Sequence, residues 1–181
     1  MNVNLAAGND KLLVKGGPLA GNLNINLGVG NDEVDLHNLT VNGPVNVVGL
    51  AGHDLVEIED SNFLGNITIN TATNNDEVDI FESSFGGNLT VLTSWHHDKV
   101  EIEDVTVAGI VQVDTGGHND QVRIEDTDFA AAVTVLLGAG NDSIELEEVN
   151  FAVPSVINGG PGNDNRDVDD VAGPVAFVGF P

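Results

Sequence analysis

Asp10, Asp32, Asp54, Asp76, Asp98, Asp120, Asp142 and Asp164 are spaced by 22 residues, a period kept through eight copies without an insertion or deletion. A fixed period of this length marks a chain built from stacked supersecondary units, none of which can bury an apolar face alone. Folding the sequence at that period gives nearly pure apolar columns. Two residues after each Asp stand Leu12, Val34, Val56, Val78, Val100, Val122 and Ile144, broken only by Arg166. Four after it stand Val14, Leu36, Ile58, Ile80, Ile102, Ile124, Leu146 and Val168. Nine after it come Leu19, Val41, Phe63, Phe85, Val107, Phe129 and Phe151.

Within a copy, apolar and polar residues alternate, as in Glu57-Ile58-Glu59 and Leu89-Thr90-Val91, which is the period of a strand with one buried face. Each copy reads as two short strands, with a Gly-rich turn before the Asp and a looser corner around Phe63 or Phe85. Pairing each strand with its equivalent in the next copy puts identical columns ~4.8 Å apart. The expected fold is therefore all-β: a single-stranded right-handed parallel β-helix (solenoid), 22 residues per coil and about eight coils, the hand following from the crossover preference. Residues 1–170 form the repeat domain. Residues 171–181 leave the pattern and are expected to be a C-terminal cap or junction. Met1-Asn2-Val3-Asn4-Leu5 already matches the second strand of a copy, so we expect a stretch of a longer exported protein, with end-to-end self-association through open strand edges.

Two residues before the Asp the chain reads Gly8, Gly30, Gly52, Asn74, His96, His118, Gly140 and Gly162, residue types that tolerate positive φ. A left-handed position in every coil is expected. The next column, Asn9, Asn31, His53, Asn75, His97, Asn119, Asn141 and Asn163, is expected to form a hydrogen-bonded amide ladder.

The charge balance narrows the partners. There are 29 Asp and Glu against 5 Lys and Arg, a formal charge of −24. Nucleic acid is excluded, because phosphate binding needs clustered Lys and Arg; cations or basic surfaces are favoured. No run reaches membrane-spanning length, and the absence of Cys removes disulfides and thiolate metal sites. Four columns hold 25 of the 29 acidic residues. They are the loop Asp, two outward columns of the first strand (such as Glu57 and Glu59), and the strand end (Asp60, Glu82, Asp104, Asp126, Glu148, Asp170). At ~4.8 Å, like charges repel by roughly 0.9 kcal/mol in water and ~3.5 kcal/mol at an effective dielectric of 20. Something must neutralise the loop column, or the Asp must cap its own turn.

Calcium is the simplest neutraliser, since it takes six to eight oxygens from carboxylates and carbonyls. Gly28-Val29-Gly30-Asn31-Asp32-Glu33-Val34, Gly138-Ala139-Gly140-Asn141-Asp142-Ser143-Ile144 and Gly159-Gly160-Pro161-Gly162-Asn163-Asp164 resemble the haemolysin-type (RTX) calcium-binding repeat of secreted bacterial proteins. The resemblance implies Ca²⁺ between coils, with Asp32, Asp142 and Asp164, and by repetition Asp10 and Asp54, as side-chain ligands. Gly28, Gly30, Gly138, Gly140, Gly160 and Gly162 would supply carbonyls or loop geometry. That family repeats every nine residues and binds on both edges, whereas this chain has one such loop per 22. Copies four to six replace the glycines with Thr73-Asn74, Trp95-His96 and Gly117-His118.

Other signals are weaker. His96, His97 and His118 with Asp98 and Asp120 could hold zinc, but His as a substitute for Gly at positive φ is the preferred reading. Trp95 is expected to be exposed. The fold resembles that of pectin and pectate lyases, which raises a carbohydrate-active enzyme as an alternative. Such lyases need a basic residue near calcium to abstract a proton; only Arg123 projects from the acidic strand, between Glu101 and Glu145, and an ion-paired Arg is the reading we take. Thr68, Thr90 and Thr134 resemble the Thr ladder of ice-binding β-helices, interrupted by Asn24, Asn46 and Gln112. The sequence thus leads us to expect a non-enzymatic structural or adhesive module, extracellular or at the cell surface, calcium-stabilised on one edge, with polysaccharide or protein as macromolecular partner. An acidic, salt-tolerant scaffold without a specific ion is the third reading.

Overall fold

The computed structural model describes residues 1–181. Its chain winds into a parallel β-solenoid of the right-handed type with about eight coils and no helix. Every coil but the last contributes three strands, so the rod has three faces. In the fourth coil these are Glu77–Phe81, Ser84–Phe85 and Leu89–Leu92. The equivalents stack into sheets of eight, seven and nine strands.

The third sheet corrects the two-strand reading of each copy. Its strands are only two residues long, too short to show alternation, but they pair in register, as in Ser84 with Asn62 and Phe85 with Phe63. The corner at Phe63 and Phe85 is therefore hydrogen-bonded structure rather than a loose turn.

Repeat register becomes core directly. Val78 pairs with Val56 and Val100, Ile80 with Ile58 and Ile102, and Ile67 with Val45 and Leu89. Identical columns from three faces converge, and 36 buried apolar residues form one continuous cluster along the axis. The Phe column stacks where it is unbroken. Ring centroids lie 5.4 Å apart for Phe63 and Phe85 and 5.5 Å for Phe129 and Phe151, with Val107 between the two pairs.

The corner after the five-residue strand of the first face, Glu77–Phe81 in the fourth coil, is left-handed in every coil: Gly16, Asn38, Asp60, Glu82, Asp104, Asp126, Glu148 and Asp170 all have φ between 46° and 77°. The acidic strand-end column is thus a row of bends. Asn and Asp accept that backbone through their short polar side chains, and Glu82 and Glu148 occupy it without this advantage.

The C-terminal segment departs from the 22-residue spacing, yet it still adds a strand, Val175–Val178, paired with Ser155–Asn158. In the last coil Arg166, the one charged residue of its column, places its guanidinium 4.8 Å from the Phe177 ring centroid and 5.9 Å from that of Phe180. This cation–π contact covers the end of the apolar column.

Candidate functional site: a buried aspartate ladder

The loop aspartates do not line the surface. Asp32, Asp54, Asp76, Asp98, Asp120, Asp142 and Asp164 are buried, each 3% exposed or less, and Asp10 in the first coil is half-buried. Each carboxylate reaches back to the preceding coil, where its Oδ1 accepts the backbone N–H of the equivalent Asp. Asp10 N–H donates to Asp32 at 2.8 Å, Asp54 to Asp76 at 2.8 Å, Asp98 to Asp120 at 2.9 Å and Asp142 to Asp164 at 3.0 Å. The cap is therefore made between coils, not within the Asp's own turn.

The neighbouring Asn column works in the opposite direction. Asn9 Oδ1 accepts Asn31 N–H at 3.0 Å, Asn119 Oδ1 accepts Asn141 N–H at 2.9 Å, and Asn141 Oδ1 accepts Asn163 N–H at 3.0 Å. The expected amide-to-amide ladder is instead a side-chain-to-backbone ladder. Side-chain amides do pair on another face, where Asn24 Nδ2 donates to Asn2 Oδ1 at 2.7 Å and Asn46 Nδ2 to Asn24 Oδ1 at 2.9 Å. An Asn-Asp pair thus grips the coil on either side and supplies backbone donors with partners where the strands have ended.

The second carboxylate oxygen is the anomaly. Oδ2 of all eight column aspartates is buried without a hydrogen-bond partner. An ionised carboxylate in that state is costly. Burial pushes the carboxyl of Asp54 up to about 6 and those of Asp76 and Asp120 up to about 7, and it raises Asp98 and Asp142 as well. The backbone N–H bond opposes each rise but does not cancel it.

The eight loops are not equivalent. Gly8, Gly30 and Gly52 have φ of 133° to 141°, whereas Asn74, His96 and His118 cluster at 84° to 87°. Gly140 and Gly162 do not have positive φ. The expectation of one left-handed geometry in every coil therefore holds for six loops, in two variants. A second positive-φ position two residues earlier, occupied by Ala6, Gly28, Ala72, Ser94, Gly116, Gly138 and Gly160, was not anticipated.

Gly30 and Gly162 are constrained by close approach. A Cβ at Gly30 would stand 1.7 Å from the Gly8 carbonyl oxygen, and one at Gly162 would stand 1.5 Å from that of Gly140. Gly28, Gly138 and Gly160 pack similarly against the carbonyls of Ala6, Gly116 and Gly138. The sequence-selected glycines therefore lie together along one loop edge beside the aspartates.

The interior partner of the ladder escaped the sequence reading. Five residues before each Asp the inward column runs Leu5, Leu27, Gly49, Thr71, Thr93, Thr115, Leu137 and Gly159. Thr71, Thr93 and Thr115 are fully buried and face Asp76, Asp98 and Asp120, whose pKa values they hold down somewhat. Thr71 and Thr93 Oγ1 find no partner in hydrogen-bond geometry, while Thr115 Oγ1 donates to the Leu137 carbonyl at 2.8 Å. The signal was three hydroxyls in an otherwise Leu/Gly column, in the same coils that lose the loop glycine.

Trp95 is 60% exposed, as expected. His96 and His118 stack nearly parallel, 5.3 Å apart, so they offer faces rather than ring-edge nitrogens to each other. Arg123 is ion-paired, with Glu101 at 3.2 Å, Glu103 at 3.5 Å, Glu145 at 3.7 Å and Glu147 at 3.8 Å, and also with Glu125. It is not alone on that face: Lys99 lies 2.6 Å from Glu77, 2.9 Å from Glu101 and 3.6 Å from Asp79. These two cations hold the middle of the acidic sheet. No protein-family model, curated protein or solved structure matches the chain.

Proposed function

We propose that this solenoid is a non-catalytic structural or adhesive module of the cell exterior, whose rigidity is set by what neutralises its buried aspartate ladder. The observation that carries the reading is the row of eight unpartnered Oδ2 atoms. The two cations embedded in the acidic sheet, Lys99 and Arg123, are engaged in ion pairs. A row of carboxylates stacked at strand spacing needs one counter-charge per coil or nearly so.

Two neutralisers suit different parts of the rod. Around Asp32, Asp54, Asp142 and Asp164 the loops are Gly-rich, and their backbone oxygens together with the carboxylates would make a donor set of hard oxygens that fits Ca²⁺. The carbonyls of Gly8, Gly30 and Gly140 accept no backbone hydrogen bond and would be available to an ion held in the loop. At Asp76, Asp98 and Asp120 the loop carries a side chain and the interior carries Thr, so a proton on Oδ2 with the hydroxyl as its acceptor is the better match. Magnesium, which demands a tight octahedron and keeps its water, suits neither.

Melting curves of chelator-treated protein at pH 7.5, with calcium or magnesium added back at matched ionic strength, test this. Calcium is expected to raise Tm at concentrations of ~10⁻⁴–10⁻³ M while magnesium does little. Asp32→Asn or Asp142→Asn should remove part of the rise, and Asp98→Asn should leave it nearly whole. Equal effects of calcium, magnesium and sodium would overturn the calcium part and leave an acidic scaffold without a specific ion.

A further inference from the structure

We propose that His37, Glu59 and Asp60 form a site for a first-row divalent transition-metal ion, with Zn²⁺ as its probe, at the corner of the second and third coils and away from the aspartate ladder. His37 ends the strand Glu33–His37, and its register partner Glu59 ends the next strand, Leu55–Glu59. Asp60 follows in the left-handed bend, at φ 52°. The tight bend turns the Asp60 carboxylate back toward the two strand ends. One ligand atom from each of the three residues lies within 4.8 Å of the others, and no other group of His and carboxylate side chains in the chain converges in this way.

The His37–Glu59 contact is an independent pointer to an ion. His37 Nδ1 is shielded from solvent and makes no hydrogen bond, although Glu59 Oε2 stands 3.0 Å away. The approach is close but off-line for an N–H···O bond. It is also the length of an edge between two ligands of one metal: with Zn–N and Zn–O near ~2.1 Å, adjacent ligand atoms lie about 3.0–3.4 Å apart. Asp60 is exposed and can close the remaining gap by a side-chain rotation. Beyond it, Glu82 occupies the same left-handed bend one coil on, at φ 46°, and adds a further carboxylate next to that of Asp60. A cation would relieve that crowding.

The donor set chooses the ion. One imidazole with two carboxylates is borderline in softness and favours zinc and its neighbours over calcium or magnesium, which prefer all-oxygen surroundings. Three protein ligands leave at least one position for water or for a donor from another molecule. Every other residue in the His37 column is Lys15, Glu59, Phe81, Glu103, Glu125, Glu147 or Asp169, so the site occurs once along the rod.

The test is a calorimetric titration of Zn²⁺ into chelator-treated full-length protein with calcium in excess, so that the aspartate ladder is already satisfied. Cobalt absorption in the visible range serves as a coordination signature. One zinc per chain is expected, with a zinc-dependent rise in Tm. His37→Gln should abolish both, Asp60→Asn should weaken binding at least tenfold, and the double variant His96→Gln/His118→Gln should leave both intact. Far-UV circular dichroism of the zinc-free variants checks that they fold; Glu59→Gln replaces His37→Gln if that variant does not. Absence of stoichiometric zinc in the parent protein, or a site that survives His37→Gln and is lost with His96 and His118, would overturn the assignment. Neither result bears on calcium.

Discussion

Replacing Asp76, Asp98 and Asp120 together by Asn should stabilise the calcium-free protein at pH 8 by about 5 kcal/mol, a rise of ~10–20 °C in Tm for a chain of this size. The Asn Oδ1 keeps the bond from the preceding coil's N–H, and Nδ2 donates to the unpartnered Thr71 and Thr93 hydroxyls. Asn is thus the neutral form of the site made permanent. The magnitude follows from linkage. A carboxyl that titrates near 7 in the folded chain and near ~3.9 in the unfolded one costs on the order of 4 kcal/mol once ionised, and the weaker neutral hydrogen bonds are deducted from the sum.

The sign is the opposite of that for an ion-paired Asp. Between ~4 and about 7 the folded chain binds more protons than the unfolded chain, so stability is fully present below that window and falls as pH rises through it. The parent's Tm in chelator should therefore decline from pH 5 to pH 8, and the triple variant's Tm should be nearly flat. Thermal melts at half-unit intervals decide the matter; a parent curve that rises over this range would remove the buried-carboxylate explanation.

Removing one whole coil should be tolerated, and removing one residue fewer should not. Deleting residues 55–76 joins Asp54 to Glu77, in the same phase of the repeat. Val34 then meets Val78 and Leu36 meets Ile80, while Lys99 and Arg123 keep their partners. The cost is one set of neighbour contacts, and a folded, shorter rod is expected. Deleting residues 56–76 instead shifts every later residue by one. Because side chains alternate with a period of two, Val78, Ile80 and their column mates turn outward and Glu77 and Asp79 turn into the core. Loss of cooperative unfolding and of the β-sheet circular dichroism signal is expected for that variant alone. Equal stability of the two would mean that register does not govern this fold.

The repeat made most of the architecture legible because a solenoid maps sequence columns onto spatial columns one to one. Val78, Ile80 and Phe85 could be assigned to the core from their columns alone. What stayed hidden had too little sequence length or too indirect a signal. A two-residue strand such as Asn62–Phe63 shows no alternation, so the third face was read as a corner. The Asp column was legible as the chemically unusual feature, but the direction of its hydrogen bonds was not, since a side chain bonding to the coil behind looks in sequence like one capping its own turn. Gly140 and Gly8 share a column and a residue type yet differ in φ, because glycine permits either backbone and the neighbouring coil selects between them. Thr71, Thr93 and Thr115 became meaningful only once their position opposite Asp76, Asp98 and Asp120 was known. The His37 cluster draws on two coils and a bend, a juxtaposition that the period contains but a motif scan does not reveal.

The stability of the rod turns on the ionisation of the ladder carboxyls, and carbon-13 NMR titration of the Asp side-chain carboxyls reads that directly. In chelator-treated protein, the Asp76 and Asp120 resonances are expected to titrate near 7 and that of Asp54 near 6. Saturating calcium should carry the Asp54 and Asp142 carboxyls to the ionised form at lower pH while leaving Asp76, Asp98 and Asp120 little changed. Titration of Asp54, Asp76 and Asp120 in the ordinary range near ~3.9, with or without calcium, would contradict the claim that the buried Oδ2 atoms need a proton or a cation.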